Sequence, residues 1–327
     1  MKNSQIKKVV VTGGAGNIAY SLLFRLAAGD LFGKDKKISL SILEKEEMLP
    51  ILKGVVMELE DCASPLLAEI RYGADSKEIF DNAEYVFLVG AKPRGPGMER
   101  RDLLIDNARL FKEQGSALDA VAHPNVLTLV IGNPCNTNCL IAQACAKRIA
   151  KERFFAMTRL DQNRARALIA KRAGVPVTTI SPIVIWGNHS STQVPDIWHA
   201  TIEGEPLRDR LPRAWLETDF FSLVQERGTK IIEARGKSSA ASAAQAAIDA
   251  MRSLIFPGNE LFSMGVLSTG NPYGIQEGLV FSFPCISEGE GQIRVAPSLE
   301  IPPLLRKKLS DTEQELDEER RAVQELL

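Results

Sequence analysis

The chain has 327 residues, of which 45% are hydrophobic and 25% charged, enough for two ordinary domains, or one large one with an internal division, around a sizeable core. Forty basic and forty-one acidic residues leave a formal net charge of −1, which argues against polyanion or membrane-surface binding, so neither nucleic acid nor membrane is an expected partner. Any recognition by charge has to be local. The first residues, Met1 to Lys8, run at once into Val9-Val10-Val11; no signal or transit peptide is expected. No apolar run has the length of a membrane span. Short β-branched runs at Ile6 to Thr12, Ile38 to Leu43, Tyr85 to Val89 and Val126 to Ile131 predict buried strands, with a further short one at Phe154 to Met157. Helical patterns lie between them at Ile18 to Ala28, Leu52 to Cys62 and Leu103 to Val121.

Such alternation predicts an α/β fold, a doubly wound parallel sheet of the Rossmann kind, with ligands at the carboxyl ends of its strands. The loops after Thr12, Leu43, Val89 and Ile131 then share one rim. The second half changes character and predicts a mixed α/β domain. A helix is expected over Gln162 to Ala173, a strand over Val177 to Trp186, and longer helices over Ala214 to Arg235 and Ser238 to Leu254. Apolar segments near Val266 to Leu267 and Leu279 to Phe283 alternate with Gly and Pro and read as antiparallel strands. The last segment, Ile301 to Leu327, reads as a charged amphipathic docking helix packed by Leu304, Leu305, Leu309 and Leu316. The expected division is 1–157 and 158–327.

Cys62, Cys135, Cys139, Cys145 and Cys285 are an odd count in a long chain, which fits free thiols in a reducing cytoplasm better than a disulfide framework. Cys135 and Cys139 lack a second Cys/His pair to complete a tetrahedral set, so no metal site is expected.

Thr12-Gly13-Gly14-Ala15-Gly16-Asn17-Ile18-Ala19 contains G-x-G-x-x-A between a predicted strand and a predicted helix. Glycines there allow a tight turn and the approach of a pyrophosphate, and the helix N-terminus supplies N–H donors. The second strand ends in Glu44, whose carboxylate suits an adenosine ribose and repels a 2′-phosphate, favouring NAD over NADP. A solvated Glu in the charged turn Glu44 to Glu47 is the competing reading.

Transferring a hydride at an alcohol carbon needs a group to take the hydroxyl proton, most often a histidine. His123, beside Pro124, and His199, beside Trp198, read as structural. His189, in Trp186-Gly187-Asn188-His189-Ser190, emerges into a polar turn from an apolar strand. Asp161, in Arg159-Leu160-Asp161-Gln162-Asn163-Arg164, is either its orienting carboxylate or the N-cap of the following helix. Asn133, after the fourth strand, is either a contact for nicotinamide ribose or substrate, or an ordinary Asn-Pro turn.

Lys92-Pro-Arg-Gly-Pro-Gly-Met-Glu-Arg-Arg-Asp-Leu-Leu104 packs four cations between a strand and a helix, hinged by Gly and Pro. Together with V-T-G-G-A-G-N-I-A-Y-S-L-L at 11–23, M-E-L-E-D-C-A at 57–63, G-N-P-C-N-T-N at 132–138, L-D-Q-N-R-A at 160–165 and W-G-N-H-S at 186–190, it resembles the NAD-dependent malate dehydrogenases, the cytosolic type in particular. The likeness covers nearly the whole chain. It implies a homodimer acting on malate and oxaloacetate in the cytoplasm, with NAD as cofactor. It also implies roles: His189 as proton carrier, Asp161 as its partner, Arg164 on the substrate's C1 carboxylate, Arg94 on the distal carboxylate and Arg100 polarising the reacting carbonyl. For the cofactor it implies Gly13 to Ala19, Glu44, Asn107, Gln114, Ile131, Gly132 and Asn133. Glu44 stands where the cytosolic type usually has Asp. Lys92 and Arg101 read as solvated. A non-catalytic dinucleotide binder would be the rival reading, marked by loss of the histidine, the aspartate or a loop arginine; all are present.

Overall fold

The structure, a computed structural model, describes residues 6–92, 100–297 and 299–327; the side chains of Arg100 and Arg101 lie outside the described set. Two compact units form: residues 1–155 with 240–252 and 321–327, and residues 156–239 with 253–320.

The N-terminal unit runs β1 (Lys7–Thr12), α1 (Asn17–Ala27), β2 (Ile38–Leu43), α2 (Leu49–Asp61), β3 (Leu67–Gly73), α3 (Ser76–Ile79), β4 (Tyr85–Leu88), α4 (Arg100–Val121), β5 (Leu127–Val130) and α5 (Cys135–Cys145), ending at β6 (Phe154–Ala156). Strand order is β6-β5-β4-β1-β2-β3, with parallel pairing of β1 to β2 and β4, of β2 to β3 and of β4 to β5. Val9, Val10 and Val11 of β1 and Val86, Phe87 and Leu88 of β4 are buried on both faces of the sheet, which is why these two runs are continuously apolar, whereas β2 carries Ser39 and Ser41. The order reverses between β1 and β4, the switch point where a doubly wound sheet opens a crevice for a ligand. The Rossmann-type sheet predicted from the alternation is therefore present.

β3 escaped the sequence reading. It lies at the sheet edge, is half exposed and carries Glu69 and Arg71, the charged character that blunts an edge strand and hides its apolar alternation. Residues 240–252 attach to this unit through Arg25–Gln245 and through Arg252, which donates to the carbonyls of Asp30 and Leu31.

The second unit contains α6 (Arg159–Ala173), the two-residue strands β7 (Ile185–Trp186), β8 (Val194–Pro195), β9 (Thr201–Ile202) and β10 (Glu205–Pro206), and helices α7 (Leu207–Arg210), α8 (Arg213–Glu217), α9 (Asp219–Gln225) and α10 (Arg227–Arg235). After α11 (Ala241–Ile255) come β11 (Gly258–Leu267), β12 (Val280–Gly289) and β13 (Gln292–Val295), an antiparallel meander, and then α12 (Pro303–Ala322). α6 stops at Gly174, whose φ of +69° lies in the left-handed region that glycine adopts most readily.

Three expectations need correction. Val177 to Trp186 is not one strand: a 3₁₀ turn spans Val177–Thr179, Ile180 makes a single bridge to Ile202, and only Ile185–Trp186 forms a strand. Its buried Ile180, Ile183 and Val184 meet the same hydrophobic demand without a ladder, and Pro182 has no N–H to give one. The helix expected over 214–235 is three pieces, broken at Thr218 (φ −122°, ψ −80°) and at Glu226. On α12, Leu305, Leu309 and Leu316 are buried but Leu304 is on the exposed face. Among the described residues no helix is long and apolar enough to cross a membrane.

Candidate active site

The glycine turn is shaped first by its own neighbours. Thr12 Oγ1 accepts from the N–H groups of Val89 and Gly90, both at 3.1 Å, and joins the ends of β1 and β4. Gly13 has φ +69°, and a Cβ there would sit 2.6 Å from Gly90 Cα. A Cβ on Gly14 would lie 2.2 Å from Ile42 Cγ2. Both glycines are thus required by close packing before any ligand is considered.

Gly16 is different: it is exposed and caps α1 with no side-chain hydrogen bond, and the helix's first turn holds no acidic residue. The first N–H groups of α1 therefore lack an internal acceptor from a cap. A pyrophosphate fits those donors.

Glu44 is half-buried, and its carboxylate accepts from Ala15 N–H and from Lys45 N–H, each at 2.9 Å. It is not a freely solvated charge; it pins the glycine turn from the end of β2.

At the next rim loop, Ile131 and Gly132 both donate to the Leu88 carbonyl, and Asn138 Nδ2 donates to the Gly132 carbonyl. Asn133 is exposed beyond them. Gln114 Oε1, on α4, is buried with no hydrogen-bond partner among the described residues, an orphan acceptor compatible with a ligand donor. Asn107 is bonded within the chain. It is 0% exposed, its Oδ1 accepts from Lys92 N–H at 2.7 Å, and its Nδ2 donates to the Lys92 and Leu103 carbonyls. Both of its amide N–H groups are thus used within the chain, joining Lys92 to α4. Lys92, read as solvated, pairs with Asp106 at 2.6 Å on the surface. Arg94 lies outside the described residues; Arg100 opens α4.

In the second unit, α6 begins after Thr158, which makes Asp161 its third residue and not its N-cap. The Asp161 carboxylate is 0% exposed and is shared. Oδ1 accepts from Arg164 Nη1 at 2.9 Å, and His189 Nδ1 stands 2.6 Å from Oδ2. The pair is an ion pair only when the imidazole is protonated. Burial pushes the Asp161 carboxyl up, but the charge and hydrogen bond of His189 and the Arg164 guanidinium outweigh it and hold the group below its ordinary value. Arg164 Nη2 also donates to Ser239 Oγ at 3.0 Å, leaving Nε buried without a partner among the described residues. An anion beside Arg164 would meet a guanidinium already oriented by two bonds.

His189 follows β7. Gly187 exchanges backbone hydrogen bonds with Ser282 of β12. A Cβ on Gly187 would come within 2.3 Å of Thr312 Cγ2, and its φ is +89°. The other two histidines are satisfied elsewhere. His199 Nδ1 lies 2.8 Å from Asp196 Oδ2, which also accepts from Trp186 Nε1, and His123 Nδ1 accepts from Asn125 N–H. All five cysteines are free thiols.

A Rossmann-type sheet with an uncapped glycine turn, joined in one chain to a buried aspartate, histidine and arginine set, is the equipment of a dinucleotide-dependent oxidoreductase. The chain belongs to the lactate/malate dehydrogenase family: residues 7–155 match its NAD binding domain and residues 158–326 its alpha/beta C-terminal domain. It is 52% identical to a malate dehydrogenase of Protochlamydia amoebophila over 99% of both chains. It is 49% identical to a chloroplastic NADP malate dehydrogenase of Flaveria bidentis, over 98% of this chain and 72% of that protein. Among solved structures it resembles malate dehydrogenase from Naegleria fowleri, at 43% identity, TM-score 0.95 and 99% coverage of both chains. It also resembles Trichomonas vaginalis lactate dehydrogenase in complex with NADH and oxamate, at 40% identity, TM-score 0.94 and 98% coverage of both. Backbone likeness is thus equally close to malate and lactate enzymes, and substrate choice has to be argued from side chains.

Proposed function

We propose that the protein catalyses the reversible oxidation of L-malate to oxaloacetate with NAD. The observation that carries the chemistry is the buried Asp161 carboxylate shared by His189 and Arg164. Bound NAD supplies the hydride acceptor. His189 takes the C2 hydroxyl proton through its Nε2, and Asp161 stabilises the imidazolium and fixes its tautomer through Nδ1. Arg164 holds the C1 carboxylate. In the reverse direction His189 returns the proton to the carbonyl oxygen.

The choice of malate over a monocarboxylate rests on the cationic loop and on its resemblance to the family. Arg94 would pair with the distal carboxylate and Arg100 would meet negative charge on the reacting oxygen. A monocarboxylate would leave Arg94 without a partner, a large penalty in a site shed of water. For the cofactor, the uncapped α1 would take the pyrophosphate and Glu44 the adenosine ribose. Its carboxylate, already accepting from Ala15 N–H, supports NAD over NADP.

The same reading includes a homodimer in a reducing, cytoplasmic setting, supported by the family resemblance and the free thiols. It also includes a domain boundary at residue 157, supported by the two family matches ending at 155 and beginning at 158.

The test is the fall in NADH absorbance on adding oxaloacetate, run beside NADPH and a His189→Ala control. Rapid turnover with NADH that vanishes in the control is expected. Equal inactivity of the two proteins would overturn the assignment in favour of a dinucleotide-binding protein.

A further inference from the structure

The C-terminal helix, which reads from sequence as a docking element, grips the turn that carries His189 from both sides. Three residues on one face of α12, spaced three and four apart, do this. Thr312 Oγ1 accepts from Asn188 N–H at 2.8 Å and is hydrogen-bonded to Thr192 Oγ1 at 2.9 Å. Glu315 Oε2 accepts from Asn188 Nδ2 at 3.0 Å and from Thr192 Oγ1 at 2.6 Å, and it also takes the Ser190 hydroxyl. Glu319 Oε1 accepts from the same Asn188 amide at 3.2 Å. Asn188 and Ser190 are the residues immediately before and after His189, and Asn188, Thr312 and Glu319 are all buried.

β7 is only two residues long, too short a ladder to set the direction of a side chain three residues beyond its end. Gly187 lets the turn approach Thr312 so closely that any other residue would collide. The turn is therefore shaped by α12, whose hydrogen bonds reach the residues on either side of His189 through Asn188, Ser190 and Thr192.

We propose that Thr312, Glu315 and Glu319 are positioning residues for His189, holding the imidazole in the direction that meets Asp161 and the substrate hydroxyl. The inference rests on the proton-transfer role given to His189 above. A catalytic group displaced by about 1 Å loses on the order of a hundredfold in rate. Loosening the clamp should therefore lower kcat while leaving cofactor binding, which uses the glycine turn, intact.

The experiment compares Thr312→Val, Thr312→Ser and Glu315→Gln in the full chain by kcat for oxaloacetate, NADH dissociation constant from fluorescence, and thermal midpoint. Thr312→Val keeps the shape but removes the acceptor for Asn188 N–H; it should remain folded and lose kcat by about tenfold to a hundredfold, with NADH affinity within about twofold. Thr312→Ser retains the oxygen and should recover most of that loss. Should Thr312→Val not fold, Glu315→Gln carries the same split between kcat and NADH affinity. The proposal is overturned if the folded variants keep wild-type kcat, if NADH affinity falls in parallel with kcat, or if Ser is as impaired as Val. Absence of turnover in the wild type would instead sink the function itself, so the two failures are distinguishable.

Discussion

His189 Nδ1 stands 2.6 Å from Asp161 Oδ2, with the carboxylate wholly buried and its second oxygen held by Arg164. Asp161→Asn would leave the packing intact while removing the negative charge that, in the proposed mechanism, stabilises the imidazolium. A loss in kcat of about 10² to 10⁴-fold is expected for a group in this role, read from steady-state oxaloacetate reduction. The carboxyl is held below its ordinary value of 3.8, so its contribution to stability is present above that pH and is lost as pH falls through the lowered folded value. The stability difference between wild type and Asp161→Asn should shrink only in that acid range. A difference that collapses near neutrality would contradict the pairing.

Arg94 lies outside the described residues, and its role is a proposal from the loop sequence. Arg94→Gln should depress kcat/KM for oxaloacetate relative to pyruvate by about 10²-fold or more, since a lost charged partner costs far more than a lost methylene. An unchanged ratio of the two specificity constants would sink the dicarboxylate assignment.

Glu44 accepts from Ala15 N–H and is proposed to select against a 2′-phosphate, and one substitution touches both. Glu44→Gln removes the charge that repels a 2′-phosphate and weakens the acceptor for Ala15 N–H. The NADPH-to-NADH ratio of kcat/KM should rise by about tenfold, the scale of one charge-assisted hydrogen bond. No movement in that ratio would place cofactor choice elsewhere.

Gly14 is set by packing. Gly14→Ala would put a methyl 2.2 Å from Ile42 Cγ2 and 2.8 Å from Leu52 Cδ1, an overpacking cost of about 1–3 kcal/mol. Urea unfolding should show a lower midpoint with an unchanged slope; an unchanged midpoint would mean that β2 and α2 yield freely.

His199 makes a separate pH-dependent contribution. The Asp196 hydrogen bond raises its value above the ordinary 6.5, against the opposing effect of burial. A raised folded value means that stability from the charged pair is full below pH 6.5 and is lost as pH rises through the folded value. The stability gap between wild type and His199→Gln should accordingly narrow above pH 6.5, measured by denaturant titration at a series of pH values. A gap that is constant or widens would exclude the charged pair.

The parallel sheet, the glycine turn and the emergence of His189 were legible because each is a local pattern: runs of Val, Ile and Leu, glycine between strand and helix, a polar turn after a buried strand. Recognition of the family motifs extended this to Asp161 and Arg164, whose i, i+3 spacing already put them on one helix face. Where hydrophobic content and hydrogen bonding part company, sequence misled. Ile180, Ile183 and Val184 are buried without lying in a strand, and β3 is a strand without being buried.

By itself, then, the amino-acid sequence determined the fold class, the family and the residue types able to do the chemistry, because short-range periodicity and turn chemistry specify elements without reference to distant partners. Tertiary structure alone decided what those residues touch. It took Asp161 from a choice between helix cap and proton-relay partner to a buried carboxylate beside His189, turned Asn107 inward to the backbone, and set Glu315 on Asn188 across 127 residues of chain. Contacts of that span arise from how whole helices and strands pack, and no local pattern encodes them.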